Sequence, residues 1–101
     1  MFPLARFRVD DESMRPTLSP GDYVFVNRWA YLVREPKEGD IVVFRSPEAH
    51  GLLLIKRVVR VVDRERVFVL GDNPDRSRDS RHFGPVPRRA IVGRVWTIAK
   101  P

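Results

Sequence analysis

"LLLIKRVVRVV", residues 52–62, is the longest aliphatic and β-branched run in the chain. Valine and isoleucine favour a pleated, partly buried surface, so the run reads as a long strand. Side chains alternate between the two faces of a strand, which puts Lys56 on the face of Leu52, Leu54 and Val58. Among apolar neighbours a lysine loses hydration, and its charged form is disfavoured. Three readings of Lys56 follow. Its amine snorkels out from a strand edge, it pairs with a carboxylate, or it serves as a general base. Free lysine titrates near about 10.4, and a catalytic base needs roughly 7–8. The difference corresponds to about 3–4 kcal/mol, which burial can supply.

Shorter strands surround this one. Arg6–Val9 is a weak first candidate, followed by Tyr23–Asn27, Ile41–Arg45, Val67–Leu70 and Ile91–Ile98. Turn signals bound them: "SPGD" at 19–22, "KEGD" at 37–40 and "GDNPD" at 71–75. "GDYVFV" (21–26) and "GDIVVF" (39–44) echo each other as turn-into-strand chemistry rather than as an internal repeat. No segment sustains a helical period, although "RWAYLVREP" (28–36) has room for one helical turn. The expected architecture is mostly β: a small antiparallel β-barrel or folded sheet, one domain over residues 1–101.

Composition narrows the chemistry. The chain has 101 residues, 43% of them hydrophobic and 32% charged, which suits one folded domain with a modest core. The absence of cysteine excludes disulfides, zinc–thiolate sites and thiol nucleophiles, and two histidines make a histidine-rich metal site a poor expectation. No cofactor or metal is implied. The net charge of +6 suits an anionic partner, nucleic acid or a lipid surface, and equally suits arginine used for solubility. No aromatic ladder interleaves with the arginines as single-strand stacking requires, so nucleic acid is not the expected partner, and a basic nucleic-acid-binding β-barrel stays as the non-enzymatic alternative. No run approaches the roughly 20 apolar residues that cross a bilayer. "MFPLARFRV" (1–9) is too short and too charged for a secretory signal.

The other stretch that carries chemistry is "DDESMRPTL", residues 10–18. Ser13 is either a turn residue or a nucleophile, and a serine nucleophile needs a base to take its proton. Lys56 is one candidate. A triad of Ser13, His82 and Asp79 is another. His50 sits in a plain loop. Asp10 and Asp11 are adjacent and would tend to point apart, which argues against paired-carboxylate chemistry.

Three segments together resemble the type I signal peptidases. "ESMRPTLSPGDYVFVNR" (12–28) resembles their serine box. "GDIVVFRSP" (39–47) and "IKRVVRV" (55–61) resemble their Gly-Asp-Ile-Val and Lys-Arg boxes. "GDNPDRSRDSRHFGPV" (71–86) resembles their Gly-Asp-Asn…Ser-x-Asp-Ser-Arg box. The resemblance implies a serine endopeptidase with a Ser/Lys dyad. Ser13 would be the nucleophile and Lys56 the general base. Ser77 would hydrogen-bond Lys56, and Asp79 and Arg81 would form a salt bridge beneath the site. Met14 and Pro16 would pack beside Ser13 and line the substrate cleft. The Ser13 N–H would supply one half of an oxyanion hole. Many relatives place a serine donor two residues before the nucleophile, and others glycine. Here that residue is Asp11, a carboxylate that accepts rather than donates, so either Asp11 points away or the second donor comes from elsewhere.

Set against the family, the expectation is a bare catalytic core without the membrane-spanning N-terminus, and the connection from Phe44 to Ile55, about ten residues, leaves little space for the large inserted domain of some members. This compact form is most similar to the nickel-type superoxide dismutase maturation proteases. That likeness implies a soluble, cytoplasmic enzyme that trims a short N-terminal extension from a precursor protein. The alternative is a signal peptidase working at the membrane surface, held by a partner or by an apolar rim around Trp29, Tyr31 and Leu32.

Overall fold

A computed structural model describes residues 3–101; Met1 and Phe2, which open the stretch weighed above as a secretory signal, lie outside the described residues. Seven strands form one antiparallel sheet: β1 (Leu4–Arg8), β2 (Tyr23–Asn27), β3 (Ile41–Arg45), β4 (Leu53–Asp63), β5 (Arg66–Leu70), β6 (Val86–Pro87) and β7 (Ile91–Ala99). Their order across the sheet is β1-β2-β7-β3-β4-β5-β6. This is the mostly β, antiparallel fold expected. Two strands, β2 and β3, have the predicted limits, and the long strand is displaced by one residue.

β3 is central, and its sequence shows why. It pairs with β4 on one side and β7 on the other, and Val42, Val43 and Phe44 are all fully buried. A strand covered on both faces reads as a continuous apolar run rather than an alternating one. Val43 belongs to a cluster with Val9, Met14, Leu18, Val24 and Val26. Val42 and Phe44, on the opposite face, pack with Val58, Val67, Val69 and Val86. Each such side chain contributes about 1.5–3 kcal/mol by leaving water.

The two echoing turns are built alike. Gly21 and Gly39 both have φ of +93°, a left-handed conformation that glycine adopts without strain. The aspartate after each is buried, and its carboxylate accepts the backbone N–H three residues earlier: Ser19 N–H to Asp22 (2.9 Å) and Lys37 N–H to Asp40 (3.2 Å). Both turns lead straight into a strand, as the repeated turn chemistry predicted.

Several short elements went unread in the sequence, among them the 3-10 turns Pro74–Arg76 and Arg88–Ala90. β6 is only two residues long, held by pairing to β5. A second helix, α2 (Ser80–Phe83), follows the single helical turn α1 (Ala30–Val33) anticipated near Trp29. Four residues are too few to show a period. Capping defines α2 instead: the Asp79 carboxylate accepts the Arg81 N–H, and His82 Nδ1 accepts the Asp79 N–H (3.2 Å). At its end Phe83 meets Phe44 edge-to-face, with ring centroids 6.3 Å apart.

Candidate active site

Ser13 lies in the loop between β1 and β2, where residues 11–17 form successive turns. The loop is anchored from below by Met14 and Leu18, both buried in the first apolar cluster. It is anchored from the side by the turn after β5. The Asn73 N–H donates to the Ser13 carbonyl (2.9 Å), Asn73 Nδ2 donates to the Glu12 carbonyl (3.0 Å), and Thr17 Oγ1 donates to the Asp72 carboxylate (2.6 Å). Arg57 closes the brace with two hydrogen bonds to Asp72, at 2.9 and 2.8 Å. Alternation explains the division of labour on β4: Lys56 and Arg57 are neighbours and point to opposite faces. None of Thr17, Arg57, Asp72 and Asn73 is legible as a brace from sequence, although the opposite charges of Arg57 and Asp72 within two separate motifs were a hint.

Lys56 is 2% exposed, and its Nζ lies 2.7 Å from Ser13 Oγ, across 43 positions of chain. Burial pushes the ammonium below the ordinary lysine range, while the nearby charges of Asp11 and Asp79 act in the opposite direction and do not overcome it. Neither a snorkelling amine nor a direct ion pair describes this side chain. Of the bases considered for Ser13, Lys56 is the one that the fold brings to it. His82 is spent on capping α2, and His50 is exposed in its loop.

Asp79 is fully buried and organises the remaining predicted residues. Its Oδ2 accepts the Gly71 N–H (3.0 Å) and the Ser77 hydroxyl (2.8 Å), and its Oδ1 accepts Arg81 Nε (2.9 Å). Arg81 and Asp79 thus form an ion pair. Ser77 differs from expectation: its hydroxyl donates to Asp79, whereas the hydrogen bond of Lys56 goes to Ser13. A charged carboxylate is a stronger acceptor than an amine nitrogen, which accounts for the choice. Met14 lines the cleft that holds Ser13, and exposed Pro16 is not among the residues that line it.

Burial alone would raise the Asp79 carboxyl, but the hydrogen bonds from Arg81, Gly71 and Ser77 outweigh it and hold the group at about 2. A carboxyl depressed from 3.8 lends stability that is complete above that value and is lost as pH falls through about 2. The loss amounts to roughly 2 kcal/mol. Urea unfolding between about pH 5 and about pH 2 should therefore show a steeper acid loss in the parent than in Asp79→Asn, which has no such proton to take up. Parallel curves would remove Asp79 as the buried anchor.

Asp11 does not point away. Its Oδ1 accepts both the Ser13 N–H (3.1 Å) and the Ser13 hydroxyl (2.9 Å). Beside it a cleft of about 150 Å³ is lined by Val9, Asp10, Asp11, Ser13, Met14 and residues 52–55. It runs into a larger groove of about 400 Å³ between β1 and the start of β4. Among the described residues both walls have free strand edges. β1 pairs only with β2, and Leu53–Lys56 pair only with β3, because the ladder to β5 begins at Arg57.

A family model described as "Signal peptidase, peptidase S26" matches residues 1–61 and 60–99. The chain belongs to the signal peptidase family. Its members are serine endopeptidases, which agrees with the resemblance read from the three sequence boxes. The chain is 41% identical, over 85% of its length, to mitochondrial ATP-independent inner membrane protease subunit 1b of Arabidopsis thaliana. It is 35% identical, over 78%, to mitochondrial inner membrane protease subunit 2 of Mus musculus. Against signal peptidase I of Pseudomonas aeruginosa it is 33% identical over 70%. It spans 64%, 57% and 32% of those three relatives. Among the described residues no helix is long and apolar enough to cross a membrane.

Proposed function

We propose that the chain is a Ser/Lys endopeptidase that cuts a precursor protein, with Ser13 as nucleophile and Lys56 as general base. The observation that carries this reading is the 2.7 Å approach of a buried amine to a serine hydroxyl. Burial favours the neutral form of the amine, and the fold brings it to the hydroxyl. An extended substrate segment fits between the free edges of β1 and β4 by adding a strand there, which presents its carbonyl carbon to Ser13.

In the first step the Ser13 hydroxyl proton passes to Lys56 Nζ as Oγ bonds to the carbonyl carbon. The Ser13 N–H faces the oxygen that becomes negative. Lys56 then gives the proton to the leaving amine as the peptide bond breaks, and an acyl-serine remains. A water molecule, deprotonated by the same amine, releases the acyl group. Ser77, Asp79 and Arg81 act as supports: they hold the turn at Gly71 against the nucleophile loop.

The substrate we infer is a precursor with a short N-terminal extension, that of nickel-type superoxide dismutase, on the strength of the compact Gly-Asp-Asn…Ser-Arg-Asp-Ser-Arg segment. A second reading, cleavage of exported preproteins at a membrane surface, is supported by the relatives with inner membrane and signal peptidase names. It is also supported by exposed apolar side chains at Trp29, Leu32 and Val33, and at Leu52 and Leu53 beside the cleft. Mass spectrometry separates the two. The purified chain should shorten a nickel-type dismutase precursor at one N-terminal site without lipid. Cleavage only of a preprotein, with co-flotation on vesicles of anionic phospholipid, would favour the membrane reading.

A further inference from the structure

Ser13 has two hydrogens that acyl transfer requires to be free, and both point at one oxygen of Asp11. The hydroxyl donates to Asp11 Oδ1 (2.9 Å), and the backbone N–H donates to the same atom (3.1 Å). A serine hydroxyl has one proton to give. While it goes to Asp11, Lys56 Nζ contributes a hydrogen to Oγ at 2.7 Å rather than a lone pair. The base is therefore in contact with the nucleophile and cannot yet take its proton. The N–H that would face the oxyanion is likewise engaged by a carboxylate, whose charge opposes the charge that develops there.

We propose that Asp11 is a positioning residue that holds the dyad in a resting arrangement, and that its carboxylate must leave Ser13 before acylation. The proposal rests on the Ser/Lys reading above and adds what keeps the pair idle. Asp11 is exposed and borders the cleft, so its side chain has open solvent to turn into. A substrate segment entering the cleft displaces it: the substrate carbonyl takes over the N–H, and the freed hydroxyl turns to Lys56. The other charged groups at this place are Asp79 beneath Lys56, and Arg8 and Asp10, which line the same cleft. Among the described residues none of the ion pairs involves Asp11.

The test needs no natural substrate. p-Nitrophenyl acetate acylates a competent serine: Oγ bonds to the acetyl carbon, the hydroxyl proton passes to Nζ, and p-nitrophenolate leaves. Single-turnover release of p-nitrophenolate, with the mass of the Ser13 peptide, reads acetylation at that residue. Asp11→Gly and Asp11→Ser should acetylate about ten- to a hundredfold faster than the parent. The midpoint of their pH profile should also move to lower pH, because Lys56 loses an anion that favours its charged form. Asp11→Asn, nearly isosteric, should move the midpoint the same way. Folded variants with the parent's rate and midpoint, against a background in which Ser13→Ala and Lys56→Ala remain unlabelled, would overturn the role of Asp11 alone. Equal labelling of the parent and Ser13→Ala would overturn the dyad reading and this proposal with it.

Discussion

Lys56→Met is expected to lower kcat/KM for peptide cleavage by about 10³–10⁴-fold and to raise the melting temperature in the same protein. The two effects have one cause. Lys56 is buried without a direct ion pair, so at neutral pH part of the folding free energy goes into keeping its amine out of water. Methionine fills similar space without that cost and stabilises the fold by about 1–3 kcal/mol. The sign follows from linkage. The folded pKa lies below the unfolded value of 10.5, so between the two values the folded state holds fewer protons. Parent stability therefore rises with pH across that window, and its deficit against Lys56→Met closes above about 10.5. The same titration sets activity, which should climb with pH below the ordinary lysine range and then level off. Ser13→Ala should be as inactive as Lys56→Met with a pH–stability curve close to the parent's. Full activity in either variant, or a flat profile from about pH 5 to about pH 10, would exclude the dyad.

The second large effect is expected at a residue with no functional group. In Gly71→Ala the new methyl would stand 2.2 Å from Ser77 Oγ, 2.5 Å from Ser77 Cβ and 2.6 Å from the Ser13 carbonyl oxygen. The hydroxyl can rotate, but the Ser77 Cβ and the Ser13 backbone cannot without moving the turn away from the nucleophile loop. We expect a loss of about 1–3 kcal/mol from overpacking. A fall of about 10²-fold in kcat/KM should accompany it, because a shift of about 1 Å at the nucleophile is enough for that. Gly39→Ala is the matched control. Nothing lies within 4 Å of its added methyl, and the strain comes only from φ of +93°. It should cost about 1–2 kcal/mol and leave kcat/KM near the parent's. Chemical denaturation and steady-state kinetics on both variants check the contrast; equal kinetic losses would mean that Gly71 does not position Ser13.

Which parts of this arrangement can be read before folding depends on how far apart the deciding groups lie. Strand positions were legible because a strand's preference is local: "YVFVN" and "IVVFR" carry their β-branched and aromatic residues between glycine–aspartate turns, and they begin and end as read. The face of Lys56 was legible because alternation within one strand is geometric, and the pairing of two boxes made Ser13 its candidate partner. β6 and α2 were not legible, because pairing with β5, a cap and a phenylalanine contact define them rather than any pattern of their own.

From its residues alone the chain determined a mostly β fold and the turns that bound its strands, and its resemblance to the signal peptidases singled out Ser13 and Lys56 as a candidate pair. Tertiary structure alone decided that β7 inserts between β2 and β3, that Ser77 donates to Asp79, that Gly71 backs onto the Ser13 carbonyl, and that Asp11 faces the nucleophile. The reason is physical. Propensity and alternation act over a few residues, whereas the partner of a hydrogen bond or the clearance of a methyl group depends on which distant segment arrives beside it.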